Sequence, residues 1–225
     1  EKILEIEKKF NRILLITSDC EETYNKLKSL EYKTITLLSQ YSELHKNIND
    51  CHKIQKNLDK EVNKFDLIIS NLCLHRIDDI MTYGTVIKNL LAKNGFFICS
   101  FFGGKTLIEL RDSLIRTDHK LLSGTYQRVI PYVDMMDACN IFNRLGFKEI
   151  VSDKNTFRIK YKKVFTLLED INGTGENCNL QSRYKGLMTK KYIEKLELEY
   201  KKKFLDGNKN FEATCDIIFL SMWNG

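Results

Sequence analysis

The sequence predicts an α/β fold with a mostly parallel sheet that closes on antiparallel strands towards its C-terminal end. Three observations predict it. Short apolar runs alternate with polar, helix-like segments through the first two-thirds of the chain. Those runs are apolar at nearly every position, as strands covered on both faces must be. Beyond Phe147 the rhythm changes to consecutive strand-like runs around a charged helix.

Taken in order, Ile13–Ile16 reads as a buried strand and Glu21–Leu30 as the helix after it. "TITLL" (34–38), a weaker run near "HKIQ" (52–55) and "FDLIIS" (65–70) are the next strands. "DDIMTYGTVIKNLLAKNG" predicts a helix, with Asp78 and Asp79 at its positive end and Asn94-Gly95 as a left-handed cap. "GFFICSFF" (95–102) is a strand, and 105–120 is an amphipathic helix with Leu107, Leu110 and Leu114 as its stripe. A further helix covers 134–147 and stops at a glycine. "KEIVS" and "TFRIKY" read as two successive strands, followed by "VFTLLEDI", a glycine-bearing turn, the lysine-rich helix 189–204 and the closing strand "ATCDIIFLSMW". The expected organisation is one domain over residues 1–225, with a helical lid insertion at about 162–208. The pattern suits a class I methyltransferase arrangement, and also a flavodoxin-like or dehydrogenase-type Rossmann fold.

Composition narrows the function classes. With 225 residues, 43% hydrophobic and 29% charged, the chain is long and apolar enough to bury a core. No apolar run approaches the roughly 20 residues of a membrane helix. Seven cysteines (20, 51, 73, 99, 139, 178, 215) are scattered and never in C-x-x-C spacing, which argues against a thiolate zinc site and for a reducing compartment. The net charge of +6 favours an acidic partner. Nucleic acid is not the expected one, because no arginine patch or zinc-finger spacing is present. The chain opens at Glu1, so a removed targeting peptide stays open.

Candidate sites follow from strand ends. The turn Thr17-Ser18-Asp19-Cys20 joins the first strand to its helix without a glycine, and the first glycine of the chain is Gly84. Ser18 with Glu21 and Asp19 with Glu22 fit capping boxes, so the turn is either a helix cap or a rebuilt ligand loop. "GGKT" (103–106) imitates part of a phosphate loop, but Cys99 stands where that loop needs its first glycine. Gly103 and Gly104 end a strand, and Glu109 and Arg111 follow, as site or as scaffold. His75, on one strand face with Cys73, is a candidate base or a structural histidine; two residues make no metal site. Arg128, Pro131 and Tyr132 lie in an irregular segment, and "EDINGTGENCNLQSR" supplies Glu169, Asp170, Asn177 and Arg183 to a lid or an ordinary connection. Helix 189–204 is a solvated face or a dock for an acidic carrier protein.

Two stretches bring a family into view. "FDLIISNLCLHRIDD" (65–79) resembles the fourth-strand segment of S-adenosylmethionine-dependent methyltransferases, F-D-L-V-x-S-x-x-x-L-H-W. "NLLAKNGFFICSFFGGKTLIELRDSL" (89–114) resembles the methyltransferase-fold assembly factor of respiratory complex I and its alphaproteobacterial relatives, which read G-G-x-T-L-x-E-L-R. The likeness continues through "RVIPYVDMMDACNIFNRLGF", "LLEDINGTGENCNLQSR" and "ATCDIIFLSMW". More distantly the chain resembles the BioC-type malonyl-carrier-protein methyltransferase of biotin synthesis. The resemblance implies a class I methyltransferase fold and S-adenosylmethionine as cofactor, with Thr17, Ser18, Asp19 and Asn71 at its site. It implies His75, Arg128 and Arg183 as catalytic groups, and Gly103, Gly104, Glu109, Arg111, Tyr132, Glu169 and Asn177 facing substrate or forming the lid. The implied partner is an acidic carrier protein or a respiratory complex subunit, met in a bacterial cytoplasm or at the inner membrane surface. Arginine hydroxylation is the activity attributed to the eukaryotic member. The chain departs from the family at its opening: the family's D-L-G-C-G-x-G is Leu15-Ile16-Thr17-Ser18-Asp19-Cys20-Glu21 here. Leu38-Ser39-Gln40 replaces the ribose-binding acid, with Glu43 nearest, and Asp59 is the stand-in for an acid near adenine. A non-catalytic binding protein on the same fold is the reading these departures motivate.

Overall fold

The computed structural model describes residues 8–17, 20–28, 31–38, 52–53, 63–122, 124–178, 180–181 and 183–225. Seven strands form one sheet in the order β3-β2-β1-β4-β5-β7-β6. They are β1 (Arg12–Thr17), β2 (Thr34–Leu38), β3 (His52–Lys53), β4 (Phe65–Asn71), β5 (Leu91–Phe102), β6 (Phe147–Tyr161) and β7 (Phe211–Asn224). Strands β1 to β5 pair in parallel, and β7 runs antiparallel to β5. The chain divides into two compact units. One takes the described residues up to Phe102 with Val133–Lys154 and Ile217–Gly225; the other takes Gly103–Tyr132 and Asn155–Asp216.

In the first unit, side-chain alternation along the central strands sends residues to opposite faces. Leu14, Ile68, Phe97, Cys99 and Phe101 join one buried cluster, which β7 completes with Ile218, Leu220 and Met222. Ile13, Leu15, Leu67, Ile69, Phe96 and Ile98 join the other. Each large side chain so buried contributes roughly 1.5–3 kcal/mol. Asp66 fixes the register where the strands begin, its carboxylate accepting the backbone N–H groups of Asn11 and Arg12, both at 2.8 Å. Helix α1 (Cys20–Leu27) follows β1. Helix α2 (Ile80–Leu90) starts at Asp79, whose carboxylate accepts the Thr82 N–H. It packs on α4 (Met135–Arg144) so closely that a Cβ at Gly84 would lie 2.4 Å from Leu145 Cδ1.

The second unit is built on α3 (Ile108–Leu121), α5 (Val164–Gly173) and α6 (Lys190–Lys201), with α3 and α5 each packed on α6. Tyr192, Leu196, Glu199 and Tyr200 are the buried stripe of α6. Glu199 accepts hydrogen bonds from Lys120 Nζ at 2.6 Å and Lys202 Nζ at 2.9 Å, which satisfies a carboxylate that is only 1% exposed.

Three expectations on elements are corrected. The helix drawn over 78–95 ends at Leu90, and β5 begins at Leu91. Asn94 does adopt a left-handed φ of 56°, but inside β5, where the register with β4 shifts between Phe65 and Leu67. "KEIVS" and "TFRIKY" are one strand, β6, because the polar residues between them are exposed and need no turn. Cys73 and His75 do not share a strand face: β4 ends at Asn71, and Leu74–Arg76 is a 3-10 turn.

Candidate functional site

Strand order reverses between β1 and β4, and open α/β sheets bind ligands outside the carboxyl ends of the strands at such a point. Thr17 and Asn71 are the last paired residues of these two strands and lie opposite each other. Thr17 is buried. Asn71 stands in turn opposite Ser100 of β5. Its Nδ2 donates to Thr23 Oγ1 on α1 at 3.2 Å, and its Oδ1 accepts from Ser100 Oγ at 2.7 Å. Ser100 Oγ also accepts the Leu72 N–H at 3.0 Å, across a residue held at a left-handed φ of 50°. Cys73 Sγ donates to the carbonyls of Asn71 (3.2 Å) and Ile16 (3.8 Å). A chain of hydrogen bonds therefore ties together the elements around the switch point. One amide hydrogen of Asn71 has no acceptor among the described residues.

His75 follows at the same strand end, buried, with its ring tilted on Phe102 at 4.7 Å between centroids. Ser18 and Asp19 lie outside the described residues, as do Ser39, Gln40, Glu43 and Asp59. Among the described residues no group of three or more His, Cys, Asp or Glu side chains could hold a metal ion.

The second unit places the other candidates. Gly103 donates its N–H to the Asp216 carbonyl at 2.9 Å, and Gly104 opens the turn before α3. The Glu109 carboxylate takes both the Thr214 N–H, at 2.9 Å, and the Thr214 hydroxyl, so it anchors α3 to β7. Arg128 is ion-paired and stacked. Its Nε lies 3.0 Å from both oxygens of Asp118 and its Nη2 lies 2.9 Å from Asp118 Oδ1. The guanidinium stacks between the rings of Tyr184 (4.2 Å) and Tyr192 (4.6 Å). Asp118, fully buried, also accepts from Tyr192 Oη at 2.5 Å and the Tyr126 N–H at 3.2 Å. Burial, followed by that bond to Asp118, pushes the Tyr192 phenol upwards.

Arg183 bridges to Gln127 by backbone and is itself exposed. Asn177 Nδ2 donates to Asn172 Oδ1 at 2.7 Å, Glu169 is exposed, and Tyr132 is buried. Arg128, Tyr184 and the Gln127–Arg183 bridge meet in one cluster; among the described residues neither Glu169 nor Asn177 hydrogen-bonds to Arg128 or Tyr184.

Sequence reasoning missed Thr23 and Ser100, the partners of Asn71, and Asp118, the partner of Arg128. Two of the three left a signal. Ser100 is the polar residue interrupting "ICSFF" near the end of its strand, and Asp118 sits four residues beyond Leu114 on the buried stripe of its helix. Thr23 left none.

No family model matches the chain. The mitochondrial arginine-hydroxylase NDUFAF5 of Homo sapiens is 29% identical over 161 residues, covering 72% of this chain and 46% of that one. The methyltransferase-like protein RP459 of Rickettsia prowazekii is 30% identical over 163 residues, covering 72% of this chain and 70% of that one. The chain belongs to this methyltransferase-fold family. Another relative, malonyl-[acyl-carrier protein] O-methyltransferase 1 of Ilyobacter polytropus, is 32% identical over 162 residues, covering 72% and 57%. The chain spans about half the length or less of the first relatives it matches, at 46% of the human protein and 37% of its Dictyostelium discoideum counterpart.

Solved structures agree on the fold. The YcgJ protein of Bacillus subtilis superposes with a TM-score of 0.62 at 11% identity, covering 99% of this chain and 94% of that one. The phosphoethanolamine N-methyltransferase 2 of Haemonchus contortus, solved with S-adenosylhomocysteine, gives 0.53 at 15% identity, covering 99% and 50%. The family's fold is thus a class I methyltransferase fold, with the sheet order and antiparallel β7 described above. Among the described residues no helix is long and apolar enough to cross a membrane.

Proposed function

We propose that the protein is an S-adenosylmethionine-dependent methyltransferase acting on a protein-borne or carrier-bound group. The observation that carries this reading is the pairing of Thr17 with Asn71 at the strand-order reversal, with one Asn71 amide hydrogen left for a ligand. Those residues fit the methionine end of the cofactor in part: an amide N–H suits its carboxylate. Bound there, S-adenosylmethionine would supply an electrophilic methyl group on a sulfonium. The chain's own contribution is positional. The Thr23–Asn71–Ser100 bonds fix the amide, and the left-handed Leu72 turns the chain into the 3-10 turn that carries His75. His75, two residues beyond Cys73, is the candidate base for an acceptor proton. Family membership favours as partner an acidic carrier protein or a respiratory subunit, in a bacterial cytoplasm or at its inner membrane.

One observation favours a second reading, a binding protein that keeps the fold without the chemistry. Asn71, Ser100 and Thr23 bond to one another, and the turn after Thr17 contains no glycine to bring backbone N–H groups against a ligand. Calorimetric titration with S-adenosylmethionine and with S-adenosylhomocysteine separates the two. Micromolar binding that falls at least tenfold in an Asn71→Leu variant supports the methyltransferase. Absence of binding to roughly millimolar concentration, with the fold intact, supports the binding protein.

A further inference from the structure

Three arginines lie on or against α3 in the second unit, and two are neutralised. Arg116 pairs with Asp112 and approaches Glu199, and Arg128 pairs with Asp118. Arg111 has no carboxylate within ion-pairing distance among the described residues. Its one side-chain bond among those residues is a long one, Nη2 to the Ile130 carbonyl at 3.3 Å. Arg111 also helps line a cavity of about 160 Å³, with Leu114, Ile115, Val129 and Pro131 as apolar walls and Tyr126, Gln127 and the paired Arg128 beside them. Arg111 is half-buried, so an anion placed there would meet a charge that is less screened than one on open surface.

The surroundings point to a protein segment as the occupant. Ile108 and Ile115, exposed by 45% and 44%, share the helical face that carries Arg111, and Tyr126 is 38% exposed. Arginine and tyrosine beside exposed aliphatic groups is the composition of an interface centre. The cavity is below the size of usual small-molecule pockets and suits a single side chain.

We infer that this face of α3 docks a peptide segment of a partner protein, one that sets an aliphatic side chain into the cavity and a carboxylate against Arg111. The cavity wall supplies apolar burial, and the guanidinium supplies a charge-assisted, two-pronged hydrogen bond. The cofactor plays no part in this recognition, so it stands or falls apart from the methyltransferase reading.

The minimal probes are N-acetylleucine, N-acetylleucinamide and N-acetylglycine, titrated into the full chain while NMR follows the Arg111 Nε–H and the Ile115 methyl signals. N-acetylleucine is expected to shift both signals saturably, about tenfold more tightly than the neutral amide, which lacks the carboxylate, and than N-acetylglycine, which lacks the aliphatic group. In Arg111→Gln the preference for acid over amide should disappear. Equal binding of acid and amide, equal binding of N-acetylglycine, or no saturable shift to roughly 50 mM overturns the proposal. So does an Arg111→Gln variant that keeps the acid preference. The comparison of acid with amide on the wild-type chain decides the matter even if that variant does not fold.

Discussion

Replacing Asp118 by alanine puts the second unit's buried cluster to a quantitative test. The carboxylate is fully buried and meets Arg128 Nε and Nη2, the Tyr192 hydroxyl and the Tyr126 N–H, all at 3.2 Å or less. Arg128 is itself 7% exposed in its side chain and cannot reach water without leaving the space between its two tyrosines. Deleting one member of such a pair strands a buried charge, at a cost of about 3–5 kcal/mol. For a chain of this length a urea m-value is about 2–3 kcal/mol/M, so the midpoint should fall by roughly 1–2.5 M, read by far-UV circular dichroism. The double variant Asp118→Leu, Arg128→Met removes both charges and should lose clearly less than Asp118→Ala alone, since it leaves no buried charge uncompensated. A midpoint shift below about 0.4 M for Asp118→Ala, or a double variant worse than the single, would refute the stranded-charge argument.

Two further outcomes test the packing and the charge of the fold. The bonds from Lys120 and Lys202 hold the Glu199 carboxyl at about 2, below its ordinary 4.5. A depressed folded value means that this pair of bonds stabilises fully above the unfolded value and is lost as pH falls from about 4.5 through about 2; Glu199→Gln should flatten that limb of the stability-against-pH curve and leave neutral pH as the region of its largest deficit. Gly146 ends α4 at a φ of +80°, with Lys88 Nζ 2.7 Å from where a Cβ would sit. Gly146→Ala should therefore lower stability by about 1–2 kcal/mol, seen as a lower thermal midpoint, whereas Gly124→Ala, with open space around it, should not.

Much of the sheet was legible because its signal is local. "TITLL" and "FDLIIS" are strands over the residues read for them, since burial on both faces leaves continuous apolar runs that turn residues interrupt. The border between α2 and β5 was not legible. Leu91-Ala92-Lys93-Asn94 continues the helical spacing, and Asn-Gly with a left-handed asparagine serves a strand irregularity as readily as a helix cap. The unity of β6 was hidden for a different reason: Asp153-Lys154-Asn155 looks like a turn unless one knows that the strand's side chains are exposed. At the candidate site, the end of the first strand nominated Thr17, and Asn71 came only with the family resemblance. Thr23, which holds Asn71, is 48 positions away from it, and Tyr192, which completes the Arg128–Asp118 pair, is 74 positions from Asp118; no spacing rule reaches so far.

The course of β7 has a consequence for biosynthesis. Ile218, Leu220 and Met222 complete a core to which Leu14 of β1 also belongs, and their strand is the antiparallel neighbour of β5. A ribosome must therefore translate as far as Met222 before the first unit can close over its apolar interior, and until then β5 has an uncovered edge. A stop codon between Asp216 and Ile218 would take away Ile218, Leu220 and Met222, and would release a product that cannot finish folding and is exposed to quality-control proteases.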